Sequence, residues 1–277
     1  MNNYSKDRKE HLCNYAKEIK LPVGGDFQGK ETRWKNLILI YHESNKPEII
    51  EKYNLLNGLK LDFDFSKKLH RFAHHLSSSQ ILCYNYFRPT IDKNGHPYKK
   101  LIDVFKNRNI YFSQNAVCQF EYGGYALFPM EGTEYDFHIK DKETEVFIEV
   151  KYTEIAFGKA NKNRKSKDQQ NYDEKFERIY CPMIKSCACL KDKQKIDLDV
   201  FLKNYQLFRN VLRITDKSKY TVFIFPYQHT KLRKEYEQFK KDFINNEYSN
   251  NVIAIYWEDL MKGKEENELY KKYFALD

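Results

Sequence analysis

No apolar run in the chain approaches the ~20 residues that a helix needs to cross a bilayer. The opening stretch, MNNYSKDRKE, is polar and lacks the apolar centre of a secretory signal. The expected location is therefore the cytoplasm, with no membrane partner. Cysteine is sparse, with six residues: Cys13, Cys83, Cys118, Cys181, Cys187 and Cys189. In a cytoplasmic chain these are expected as reduced thiols and not as a disulfide framework. The C-x5-C-x-C spacing of Cys181, Cys187 and Cys189 matches no common zinc pattern, so structural thiols are favoured over a zinc knuckle. No Pro-, Gly- or Ser-rich linker divides the chain, and no internal repeat or low-complexity block interrupts it. Gly24-x4-Gly29-Lys30 falls short of a phosphate loop. Glu31 stands where Ser or Thr is required, and no strong strand precedes it. A surface loop is expected there.

What is present is a chain of 277 residues, ample for a sizeable core. Lys+Arg 48 against Asp+Glu 39 gives a net charge of +9. That excess favours a polyanionic partner without establishing one. Aromatic residues are abundant, with 22 Tyr and 20 Phe.

Periodicity predicts a helix over Ser5–Ile19, a short buried strand or helix over Lys35–Tyr41, and a helix over Pro47–Leu56. Ser77–Ser79 can cap a helix that Pro89 ends. His70, His74 and His75 fall at i, i+4 and i+5, but no accompanying Glu makes a zinc-protease pattern. Partly buried or solvated histidines are expected. A helix starts at Leu101–Phe105. Ala116–Tyr122 reads as a strand with Val117, Gln119 and Glu121 on one face, broken by Gly123 and Gly124. Helices are expected over Asp168–Ile184, Asp199–Ile214 and Thr230–Ile244, and through the last ~20 residues. Tyr220–Tyr227 and Val252–Tyr256 read as buried strands. The alternation implies an α/β fold, a mixed central sheet flanked by helices. Residues 1–95 are expected as a mostly helical N-terminal extension packed on a core of residues 96–277, the whole forming one structural unit.

Thr133 to Tyr152 carries the chemistry. Tyr135–Lys140 and Glu145–Lys151 both alternate with period 2. An even turn through Asp141–Thr144 sets Lys140 opposite Glu145, and hence Asp136 opposite Glu149. Directly opposed residues share a face, with Cβ atoms roughly 4.5–5.5 Å apart. One face then carries Tyr135, Phe137, Ile139, Val146, Ile148 and Val150. The other carries Asp136, Glu149 and Lys151. Opposed carboxylates repel unless a cation lies between them, and Mg²⁺ binds through one or two carboxylates, phosphate and water. A lysine beside them can steer a water and stabilise phosphoryl charge. Spacing alone leaves a metal site and an ordinary charged hairpin about equally placed. The basic stretch that follows, with Lys159, Lys162, Arg164, Lys165 and Lys167, is either a solvated loop or a phosphate-backbone contact.

The D-x12-E-x-K pattern within a strand–hairpin–helix–strand order resembles the PD-(D/E)xK nuclease superfamily. Ser78–Phe87 (SSQILCYNYF), Glu131–Phe137 (EGTEYDF), Glu149–Gly158 (EVKYTEIAFG) and Tyr205–Asn210 (YQLFRN) resemble blocks of a bacterial restriction-endonuclease-like family within it. The resemblance implies an αβββαβ core and Mg²⁺-dependent hydrolysis of double-stranded DNA, with Mn²⁺ as a substitute. It assigns Asp136, Glu149 and the Val150 carbonyl to the metal and Lys151 to the attacking water. Glu121 and Gln206 best match the extra acid and the helix glutamine of such sites. Tyr135 replaces the superfamily's loosely kept proline. Cutting both strands implies a homodimer, and a cognate methyltransferase is a possible further partner. The alternatives are a nuclease on RNA or branched DNA, or a non-catalytic DNA-binding module on the same fold.

Overall fold

A computed structural model describes residues 4–25, 34–127, 132–162 and 171–275. Its centre is one five-stranded sheet in the order β1-β2-β3-β4-β5: Val117–Gly123, Glu134–Lys140, Glu145–Val150, Lys219–Phe225 and Val252–Tyr256. β2 runs antiparallel to its neighbours β1 and β3, whereas β4 and β5 continue parallel to β3. The hairpin register follows from its turn. Asp141 N–H donates to the Thr144 carbonyl at 2.8 Å, and Lys140 pairs with Glu145. Parallel pairs need crossovers, which helices supply. Leu198–Lys203 and Tyr205–Val211 lie between β3 and β4, and Thr230–Phe243 lies between β4 and β5.

Side-chain alternation gives the sheet two buried faces. Phe137, Ile139, Val146, Ile148, Val150, Val222 and Ile224 share one cluster with Leu12, Leu82, Phe87, Phe105, Trp257 and Tyr273. The first and last helices therefore build the same core as the sheet. Phe223, Phe225 and Val252 face a second cluster with Phe176, Phe201, Phe208 and Phe239. Ser79–Phe87 is buried all round, as expected of a helix lying inside a core. Its Ser78 cap accepts from Ile81 N–H, and Phe87 stacks on Phe137 at 4.3 Å.

Several local expectations are corrected. The face pattern of β1 and β2 switches at Glu121. Phe120 and Phe137 lie together on the helix side, with ring centroids 4.8 Å apart. Tyr122 instead stacks on His138 at 3.6 Å, and Tyr135 packs on Phe147 at 4.7 Å. Glu121 adopts a left-handed φ of 48°, which breaks strand alternation. Tyr135 consequently leaves the face expected for it, and its hydroxyl reaches the carbonyls of Arg209 and Asn210 at 3.5 and 3.4 Å. The helix expected over Asp199–Ile214 divides at Asn204, whose amide turns back to the Val200 carbonyl at 3.1 Å. The helix expected from Asp168 begins within the described residues at Tyr172 and includes a π turn at Phe176–Tyr180. Lys35–Tyr41 forms one 3₁₀ turn and isolated bridges at Ile38 and Leu39. His70–His75 is a run of turns and not a helix, so its spacing sets no helical face. Residues Gly29, Lys30 and Glu31 lie outside the described residues. All six cysteines are free thiols, and no helix among the described residues is long and apolar enough to cross a membrane.

Candidate active site

The sheet end where β2 and β3 diverge opens into a cavity of about 540 Å³. Glu121, Asp136, Glu149, Lys151 and Gln206 all line it. The hairpin register brings Asp136 to the end of β3, where Val150 N–H donates to its Oδ2 at 2.6 Å. Glu149 is buried on the sheet face opposite Ile148 and Val150. There its Oε1 meets Lys151 Nζ at 2.8 Å and Gln206 Nε2 at 2.5 Å. Gln206 opens the Tyr205–Val211 helix, and its own N–H points at the Gly158 carbonyl at 3.4 Å. A Cβ on Gly158 would lie 3.0 Å from Gln206 Oε1, and φ at Gly158 is +104°. Glycine is needed there for both reasons.

Glu121 enters from β1. Its carbonyl accepts from Lys68 Nζ at 2.6 Å, and its carboxyl meets the Gln80 side chain. Gln80 is the residue that the Ser79–Phe87 helix brings to the site; Cys83 stands deeper in the same helix. Burial, with Glu134 and Glu149 nearby, pushes the Glu121 carboxyl up to about 8 against the pull of Gln80. Asp136 is raised well above the ordinary aspartate value by burial first, then by Glu149 and Glu121. The Lys151 ammonium is opposed by burial. Glu149, Glu154 and Asp136 more than offset that cost and hold its pKa above the usual lysine value.

Lys151 lies just past the end of β3, yet both of its main-chain groups are fixed. Its N–H donates to the Ile224 carbonyl at 2.8 Å, and its carbonyl accepts from Trp257 Nε1 at 3.1 Å. Trp257 is fully buried, edge-on to Tyr86 at 5.3 Å. The next residue is tied as well, since Tyr152 Oη donates to the Tyr273 carbonyl at 2.6 Å. Trp257, Gln80, Glu134 and Glu154 were not legible as site residues. Gln80, Glu134 and Glu154 lie within the blocks that carry the resemblance, whereas a tryptophan 106 residues from its partner leaves no local pattern.

The basic stretch is placed differently. Lys159 lines a separate cavity with Lys203, Lys234 and Glu235, and Lys162 pairs with Asp173 at 3.6 Å. Arg164, Lys165 and Lys167 lie outside the described residues.

Among the described residues no three His, Cys, Asp or Glu side chains converge as a ready-made metal cage. The donor set nevertheless fits a hard divalent ion. Mg²⁺ keeps several waters and needs only one or two carboxylates. Asp136 and Glu149 are carboxylates whose crowding is relieved by added positive charge.

A mixed sheet with helices on both faces and an acidic pair plus lysine at one strand end defines the restriction-endonuclease-like α/β fold. Residues 13–275 match the family REase-ARP, described as restriction endonuclease associating with ARP, and the chain belongs to that family. Membership places it among the nucleases, a class of hydrolase. No curated protein and no solved structure matches the chain.

Proposed function

We propose that the protein is a metal-dependent endonuclease that hydrolyses phosphodiester bonds in double-stranded DNA, in the manner of a type II restriction endonuclease. The observation that carries this reading is the convergence of Asp136, Glu149 and Lys151 on one cavity at the end of the hairpin that their spacing singles out. Asp136, Glu149 and the Val150 carbonyl would hold Mg²⁺, with Mn²⁺ as a substitute. The bound ion supplies polarisation of a phosphoryl oxygen and a lowered pKa for water. The chain's own residues do the rest. Gln206 fixes the Glu149 carboxylate by donating to Oε1. The raised pKa of Lys151 keeps its Nζ protonated at neutral pH, which suits it to orient a water and offset charge on the phosphoryl oxygens. Glu121 holds its proton more tightly than an ordinary carboxylate and stands where the extra acid of such sites is expected.

A non-catalytic DNA-binding module is disfavoured by the same crowding. Buried carboxylates with raised pKa values cost stability at neutral pH, a cost that a site without a cation has no use for. Two strands require two cuts, and a two-fold homodimer would present two such sites. The deciding experiment sets duplex DNA, branched DNA and RNA in competition with Mg²⁺ present, then sequences the product ends. Preferred cutting of duplex at defined positions supports the proposal. Preferred cutting of RNA or branched DNA replaces it with a repair-type or RNA-directed nuclease. A cognate methyltransferase would be revealed by protection of the mapped site in host DNA.

A further inference from the structure

The acidic cavity has a second wall that the D-x12-E-x-K set does not include. Lys9 reaches it from the Tyr4–Glu18 helix, and His70, Phe72 and His75 reach it from the turns before the Ser79–Phe87 helix. This wall is a built surface. Lys46 Nζ donates to the His70 and Arg71 carbonyls at 3.4 and 3.0 Å. The buried Gln80 accepts from His70 N–H at 2.8 Å and donates to the Lys68 carbonyl at 3.0 Å. Asn54 Nδ2 donates to the His75 carbonyl at 3.1 Å. Gln80 therefore ties the turns to the same helix end that meets Glu121.

The wall's chemistry is opposite to that of the carboxylates it faces. Arg71 lies 4.4 Å over the Phe72 ring, and the His70 and His75 rings each lie 5.2 Å from it. Burial first, then the nearby Lys9, His70 and Lys46, hold His75 neutral, with its pKa lowered to about 4. Fixed positive charge is thus contributed by the lysines and Arg71, around a half-exposed aromatic ring. A site for a hydrated cation or an isolated phosphate gains nothing from such a ring. A nucleotide carries both an anion and an apolar sugar and base face, and nucleic-acid binding sites pair cations with aromatic side chains for that reason.

We propose that Lys9 and Phe72 form a DNA-strand subsite beside the acidic site, Lys9 meeting a phosphate that flanks the one cut and Phe72 packing on the adjoining sugar and base. This rests on the nuclease reading above. The test is fluorescence anisotropy of a labelled DNA duplex without metal, across a range of salt, on the full chain. Lys9→Ala should reduce the slope of log K against log salt by about 1. Phe72→Ala and Phe72→Leu should weaken binding, the former about tenfold, with the slope unchanged. Lys142→Ala, on the hairpin turn at the far end of β2 and β3, should change neither. Thermal melting of each variant separates loss of fold from loss of binding. If the wild type binds and cuts DNA while Lys9→Ala and Phe72→Ala match it in affinity and slope, the subsite is refuted and the nuclease reading stands. If the folded wild type binds no duplex at any salt and cuts none with Mg²⁺, both fall together.

Discussion

Replacing Gly158 with alanine should slow DNA cleavage by acting on a side chain 48 residues away. The new Cβ would stand 3.0 Å from Gln206 Oε1 and 3.6 Å from Gln206 Cβ, so Gln206 must move by a few tenths of an ångström. Its bond to Glu149 is short, at 2.5 Å, and has little slack. A hydrogen bond to a charged group is worth about 1.5–3 kcal/mol. If it is needed in the transition state, its loss corresponds to roughly 10- to 100-fold in rate. The backbone adds a second cost, because φ of +104° is a region that alanine rarely adopts. That strain is about 1–3 kcal/mol, enough to lower the melting temperature by several degrees. The assay is the rate of nicking and linearisation of supercoiled plasmid with Mg²⁺, measured for Gly158→Ala, Gln206→Ala and the double variant. If Gly158→Ala acts through Gln206, it should cost little further activity once Gln206 is alanine, while its melting deficit persists. Rate losses that multiply in the double variant, or full activity in Gln206→Ala, would refute the reasoning.

Trp257→Phe keeps an aromatic ring but leaves the buried Lys151 carbonyl without its donor. An unmet buried carbonyl costs about 1–3 kcal/mol; kcat should fall at least about fivefold with KM unchanged, and a loss of melting temperature alone would make Trp257 purely structural. Lys272 is fully buried with Nζ against Asn54 O and Oδ1 at 2.7 and 2.8 Å, and burial lowers its pKa to about 7. The unfolded chain then binds one more proton than the folded one between about pH 7 and 10, so this residue makes stability rise with pH by at most about 1.4 kcal/mol per unit. Urea unfolding from pH 7 to 9 should show that rise flattened in Lys272→Met, and identical pH profiles would contradict it.

The hairpin was legible because its information is local. Period-2 alternation and an even turn fix Lys140 against Glu145 and carry the register to Phe137 against Ile148, where the ladder ends; the Asp136 expected opposite Glu149 instead accepts from Val150 N–H. β5 and the Ser79–Phe87 helix were legible for the same reason, each bounded by its own pattern and cap. What escaped depends on contacts distant in sequence or on single backbone angles. The left-handed Glu121 turns Tyr135 away from its expected face, and no residue type in AVCQFEY signals that. Trp257 holds Lys151 across 106 residues. Asn204 divides a helix that periodicity would have carried through. The wall of Lys9, His70, Phe72 and His75 joins two segments that share no motif, whereas the basic stretch that charge pattern did single out puts Lys159 in another cavity.

The most direct measurement is plasmid cleavage by the purified protein with Mg²⁺, with EDTA, and with Asp136→Asn and Lys151→Ala in parallel, each checked for its fold by circular dichroism. The account predicts that the wild type cuts only with the metal and that both folded variants lose at least about 100-fold in rate. Cleavage that persists in EDTA, or at wild-type rates in either variant, would contradict it.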